Sequence, residues 1–128
     1  MTPVVALDTN ALMMPVELGV RVFDELERLF GQVGLVTPQA VVDELDALAQ
    51  GGSEEAKAAS VGTDLARERC GIVDTEASFA DDAVIELADS GAADYIVTND
   101  RPLRDRALSL GIPVVGVRGR NTLHVIEP

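Results

Sequence analysis

Short runs of aliphatic residues alternate along the chain with longer segments of helical spacing, and this alternation predicts a parallel sheet with helices on both faces. Val4-Val5-Ala6-Leu7 opens the pattern, and residues 3–8 are expected to form the first strand. Val22, Phe23, Leu26, Leu29 and Phe30 then recur at helical spacing, which predicts one helix from Pro15 to Phe30, ending before Gly31. A short strand is expected around Val33–Val36. Thr37-Pro38 reads as a helix start, with Thr37 as cap and Pro38 at the first helical position, and that helix runs to about Gln50 before Gly51-Gly52. A helix over 53–69, a strand at Ile72-Val73, a helix over 79–89, a strand over 95–98, a helix over 102–109 and a strand over 113–117 follow. Leu123–Glu127 reads as an added edge strand. No repeat, low-complexity tract or interdomain linker interrupts the chain, so residues 1–128 are expected to form a single domain.

Composition narrows the function classes. A chain of 128 residues can bury about two-thirds of its unfolded surface, and Ala, Val and Leu supply most of its 47% hydrophobic content. Three Phe and one Tyr argue against base-stacking platforms of the kind that single-strand binders use. No run of 18 apolar residues is present, so no membrane span is expected. The N-terminus runs straight into a strand, which argues against a cleavable signal peptide. A single cysteine, Cys70, cannot form an internal disulfide, consistent with a reducing cytoplasm, and reads as a small buried hydrophobe.

Net charge of −12 argues, taken alone, against a nucleic-acid partner. Its distribution changes the picture: residues 1–100 hold five basic and twenty acidic side chains, whereas 101–128 hold five Arg and two acids. Arg101, Arg104, Arg106, Arg118 and Arg120 thus form a positive stretch after the last acidic motif. Elsewhere the surface is acidic and poor in Lys, with Lys57 alone. This is expected to be a salt-adapted surface, since high salt screens self-repulsion. Equal stability in urea melts at low and molar KCl would dismiss that expectation.

The candidate chemistry lies in four acids that a parallel sheet would gather: Asp8, Glu44, Asp81 and Asp100. Asp8 closes the first strand and Asp100 follows Tyr95-Ile96-Val97-Thr98-Asn99, so both fall at the carboxyl edge, where open α/β sheets bind ligands. Capping or an Asx turn is the competing reading for each of them. Glu44 flanks a buried stripe of Val41, Leu45 and Leu48, which demands a partner, either an Arg or a metal. Asp81 shares a face with Val84 and Ala88 and is preferred to Asp82, although a shift of one residue in the helix start would reverse the choice. Gathered carboxylates repel by roughly 1 kcal/mol or more per close pair. A hard divalent cation such as Mg²⁺ or Mn²⁺ removes that repulsion, which points to metal-assisted phosphodiester chemistry.

The segments VALDTNAL, TPQAVVDEL, FADDAVIELA and YIVTNDRPLRDRALSLGIPVV resemble PIN domains, the metal-dependent ribonuclease fold, over nearly the full length. Within that family the chain is similar to archaeal single-domain members, some of them VapC-like toxins, and to the eukaryotic endonucleases that process small-subunit ribosomal RNA. The resemblance implies an α/β/α sandwich around a parallel sheet of about five strands, and often a homodimer. It implies metal binding by Asp8, Glu44, Asp81 and Asp100. Thr98 matches a small hydroxyl that supports the site, and Asn10 a polar residue able to orient a carboxylate. The acidic, Lys-poor surface departs from the pattern.

These readings converge on a Mg²⁺- or Mn²⁺-dependent endoribonuclease, either a toxin with an antitoxin partner or an RNA-processing enzyme. Glu44 would act as ligand or water-orienting base, and Arg101, Arg104, Arg118 and Arg120 would hold RNA phosphates. Ion pairing with the acidic surface is the alternative for each Arg. His124, the only histidine, is expected to be structural or exposed rather than a general base. A phosphoacceptor domain would require an acidic pair after the first strand and a strand-end Lys, and a haloacid-dehalogenase phosphatase an Asp where Asn10 stands. The remaining alternative is a binding module that docks on RNA or protein with a vestigial metal site.

Overall fold

A computed structural model describes residues Thr2–Pro128. Its elements are β1 (Val4–Leu7), α1 (Thr9–Glu17), α2 (Val22–Phe30), β2 (Gly34–Pro38), α3 (Gln39–Leu48), α4 (Glu54–Arg69), β3 (Gly71–Val73), α5 (Ala80–Asp89), β4 (Tyr95–Val97), α6 (Arg101–Ser109), β5 (Val114–Arg118) and β6 (Thr122–Ile126). The strands form one sheet in the order β3-β2-β1-β4-β5-β6. Five are parallel, and β6 returns antiparallel beside β5. The chain first winds from β1 outward to β3, then crosses back to β4 and continues to β5. Right-handed crossovers in opposite directions place α1–α4 on one face and α5 and α6 on the other, giving three layers.

The order reverses at the β1/β4 junction, and the carboxyl ends of strands at such a switch point are where open α/β sheets bind ligands. Residues Val5–Leu7, Ile96, Val97, Val114 and Val115 are fully buried, as central parallel strands covered on both faces must be. On the α1–α4 side the helices touch closely at Gly62. A Cβ there would lie 3.0 Å from the Leu12 carbonyl oxygen and 3.2 Å from Leu45 Cδ2. This glycine lets α4 press on α1 and α3 together.

Two boundaries differ from the sequence expectation. The single helix over 15–30 is two helices, separated by a turn in which Gly19 adopts φ 67°. Pro15 lies inside α1 rather than opening a helix, because Asp8 already caps that helix seven residues earlier. Thr37 does not cap α3. It remains in β2, where its buried hydroxyl donates to the Leu7 carbonyl across the sheet (2.8 Å), and Pro38 takes the cap position. The expected edge strand at the end of the chain is β6, and α2 fastens it. Arg28 Nη2 donates to the Leu123 carbonyl (2.7 Å), and the Leu123 N–H donates to Glu25 Oε1 (2.9 Å).

Candidate functional site

The carboxyl edge at this junction is built around Asp8. Leu7 completes β1, and the chain turns into α1 with Asp8 in extended conformation as the helix cap. Its Oδ1 accepts the Ala11 N–H (2.6 Å), and its Oδ2 accepts the Thr98 hydroxyl from the end of β4. The same Thr98 hydroxyl accepts the Asp100 N–H (2.9 Å). Asn10 Oδ1 accepts the Asn99 N–H (2.8 Å), a second link between the β1 and β4 ends. Thr98 is wholly buried and Asp8 is 2% exposed.

Burial of a carboxylate at this depth is unfavourable to its charge, and burial is the main reason the Asp8 pKa is pushed up to about 7. Hydrogen bonds from Thr98 and Ala11 oppose the rise, while the charges of Asp81 and Asp100 add to it. The Asp81 carboxyl is raised as well, by desolvation first, then by the charges of Asp100 and Glu44. The four acids therefore feel one another at the same edge of the sheet.

They are not equally held. Glu44 and Asp81 are exposed, and the Glu44, Asp81 and Asp100 side chains make no hydrogen bond or ion pair among the described residues. Glu44 thus faces solvent and lacks the Arg partner that its place beside the buried stripe suggested. Asp82 points elsewhere, paired with Arg106 Nη1 at 2.6 Å. Among the described residues, no three acidic, histidine or cysteine side chains come close enough together to hold one ion as they stand. The donor set is still all oxygen, and its crowded negative charge fits a hard cation, with three side chains free to swing inward.

The arginines lie on this edge too. Arg101 opens α6 directly after Asp100, and Arg104 follows one turn later, half-exposed and 3.3 Å from Asp105. Arg118 ends β5, and Arg120 sits in the hairpin to β6, so both project from the carboxyl side. Among the described residues, Arg101, Arg118 and Arg120 have no carboxylate within 4.0 Å. His124 lies in the middle of β6, half-buried, outside the acidic group. Cys70, half-buried at the end of α4, has its thiol pushed up to about 11 by burial, which disfavours the thiolate.

Sequence reasoning passed over two residues of this edge, Thr37 and Phe79. The Thr37 hydroxyl fixes the neighbouring end of β1, but its Thr-Pro context resembles an ordinary helix start. Phe79 stands exposed immediately before α5, where the order of apolar residues suggests only the beginning of a buried helix face.

Comparison with known structures places this architecture. The PIN domain endonuclease Utp24 superposes with a TM-score of 0.78 at 22% identity, covering 98% of this chain and 92% of its own. A domain of a functionally unknown protein from Methanocaldococcus jannaschii gives 0.68 at 17% identity, covering 92% and 93%. VapBC2 from Rickettsia felis, bound to a promoter DNA fragment, gives 0.58 at 16% identity, covering 80% and 92%. No curated protein matches the sequence. A family model described as a PIN-like domain matches residues 5–120, nearly the whole chain from β1 to the last hairpin, and the chain belongs to that family.

Proposed function

We propose that this chain is a divalent-metal-dependent endoribonuclease. The observation that carries the reading is the buried Asp8 carboxyl at the β1/β4 junction, driven towards protonation by its burial and by the charges of Asp81 and Asp100. A protein retains a group so unfavourably placed where function requires it. Asp8, Asp81 and Asp100 would hold Mg²⁺ or Mn²⁺, with Glu44 as a further ligand or as the base that orients water. When bound, such an ion neutralises the gathered charge, acidifies water and stabilises charge at a scissile phosphate.

The chain's own residues supply the rest. Thr98 and the Ala11 N–H fix the Asp8 oxygens, so this carboxylate needs no reordering when a substrate arrives. Asn10 locks the loop that carries Asp100. Glu44, unpartnered and exposed, can take a proton from attacking water. Arg101, Arg104, Arg118 and Arg120 would hold flanking RNA phosphates and set the register of the strand. A phosphoacceptor role lacks its lysine here: Lys57 lies on α4, paired with Glu54 at 3.5 Å. Toxin and processing roles share this chemistry. The endonuclease and VapBC neighbours supply precedents for each.

A second reading, an RNA- or protein-binding module with an idle metal site, draws on one observation: no three acids converge as they stand. One experiment separates the two. A labelled structured RNA is incubated in high KCl with Mn²⁺ and wild type, Asp8→Asn, or wild type with EDTA. Cleavage by wild type without chelator, and by neither control, is the expected result. Cleavage that survives both controls dismisses the mechanism. RNA binding without cleavage, unchanged in Asp8→Asn, would favour the binding module.

A further inference from the structure

Phe79 is 75% exposed, well above every other exposed large apolar side chain among the described residues. The four aromatic residues divide sharply. Phe30 and Tyr95 pack ring on ring with centroids 4.8 Å apart, and Phe23 lies under the Arg69 guanidinium at 4.4 Å. Phe79 alone has neither an aromatic nor a cationic partner among the described residues.

The segment that presents this ring is fastened. It leads from the carboxyl end of β3 into α5, and Glu86 on α5 reaches back to accept both the Glu76 N–H and the Ala77 N–H, each at 3.0 Å. The Thr75 hydroxyl donates to the Ala77 carbonyl (2.8 Å), and the Phe79 carbonyl accepts the Ala83 N–H (2.9 Å) in the first turn of α5. A ring held in water by a pinned backbone loses little conformational freedom on meeting a ligand. Asp74, Glu76, Ser78 and Asp81 around it are all exposed and polar. None of these four neighbours is apolar and three are acidic, so an RNA strand can approach the ring only with that charge screened by salt or neutralised by a bound cation.

Its position supplies the occupant. Phe79 precedes Asp81 by two residues, so their backbones stand at most about 7 Å apart. A strand whose phosphate lies at the acidic edge would bring a neighbouring base to this ring. We propose that Phe79 is a stacking platform for the nucleobase beside the scissile phosphate of single-stranded RNA. The proposal rests on the nuclease reading above and adds a residue that positions the strand. Stacking uses the face that every base shares, so the platform favours unpaired RNA over duplex with little preference among sequences.

The chain has no tryptophan, so Phe79→Trp with Asp8 and the other acids intact installs a single tryptophan at the ring. It is titrated in high KCl, with Ca²⁺ in place of Mn²⁺ to slow cleavage, against a single-stranded RNA and an abasic ribose-phosphate strand of equal length. Saturable quenching by the RNA and not by the abasic strand is expected. In cleavage assays, Phe79→Ala should raise KM about tenfold while kcat changes less than about twofold, and Phe79→Tyr should restore KM. Equal quenching by both strands, or none, overturns the proposal. Cleavage by wild type unaffected by Phe79→Ala would then leave the nuclease reading standing, whereas absence of cleavage by wild type would remove both.

Discussion

The strand-borne and helix-borne acids of the sheet edge are held in opposite ways. Asp8 is buried, caps α1 and is gripped by Thr98 from the neighbouring strand, whose hydroxyl also fixes the Asp100 backbone. Glu44 and Asp81 ride on helices, face water and touch no donor among the described residues. The β1/β4 ends therefore form a preset anchor, whereas Glu44 on α3 and Asp81 on α5 are held by no partner among the described residues and, on the reading proposed above, would have to turn inward to share an ion. Burial weighs most on the anchor, and Asp81 shares part of that strain through its own desolvation and the charges of Asp100 and Glu44. On the proposed metal-dependent reading, a site divided in this way would hold the ion through one fixed carboxylate and adapt to substrate through the others.

The largest test of that contrast is loss of the anchor. Asp8→Asn should lower Mn²⁺-dependent RNA cleavage at least about 100-fold, whereas Asp82→Asn, removed from the site by its bond to Arg106, should stay within about twofold of wild type. Comparable losses in the two variants would erase the division. Next, Thr98→Val keeps the shape and deletes the hydroxyl that holds Asp8. Calorimetric titration with Mn²⁺ should show affinity reduced about 10- to 100-fold. An unchanged affinity would mean that the grip on Asp8 does not matter to the ion.

Stability should move the other way. In metal-free protein the Asp8 pKa rises from 3.8 to about 7 on folding, so the folded state binds the extra proton between those values. Stability is therefore greatest below the unfolded pKa, falls as pH climbs towards 7, and is level above it. Three units correspond to roughly 4 kcal/mol, partly offset in Asp8→Asn by weaker bonding to Thr98, so the variant should gain about 2 kcal/mol in urea melts at pH 8 with EDTA. Near pH 3, where both proteins are neutral at this position, the charge contribution disappears and only the weaker bond to Thr98 remains, so the variant should be the less stable of the two. A wild type at least as stable as the variant at pH 8 would contradict the strained anchor. The smallest effect belongs to the positive rim: Arg118→Ala should weaken RNA binding and flatten its dependence on log salt by about one unit, without altering the cleavage pattern.

Much of this arrangement is legible in the sequence wherever a local rule and the tertiary structure agree. The Asp8 and Asp100 positions follow from apolar runs that end in an acid, and the choice of Asp81 over Asp82 agrees with the Arg106 pair. Legibility fails where distant partners decide. Pro15 looks like a helix start, yet α1 already begins at Thr9 because Asp8 caps it, and the fixed φ of proline is tolerated inside the short helix. Thr37 follows the cap pattern, but the Leu7 carbonyl, 30 residues away, claims its hydroxyl. Glu44 lies on the flank of an amphipathic helix, where periodicity alone cannot distinguish rim from core. A count of aromatics missed Phe79, because its significance lies in being alone and in the open.

The position of β1 has a consequence for biosynthesis. This central strand pairs on one side with β2, about thirty residues later, and on the other with β4, about ninety residues later, as in Val5↔Leu35 and Val5↔Tyr95. A chain growing from its N-terminus can form the first pairing early, but the second waits until most of the protein has been made. Asp8 receives its Thr98 bond, and Asp100 its place beside it, only at that late step. The acidic edge thus stays unassembled on every incomplete chain, and a nascent fragment released before residue 95 carries β1 and its acid but no means of holding them in place.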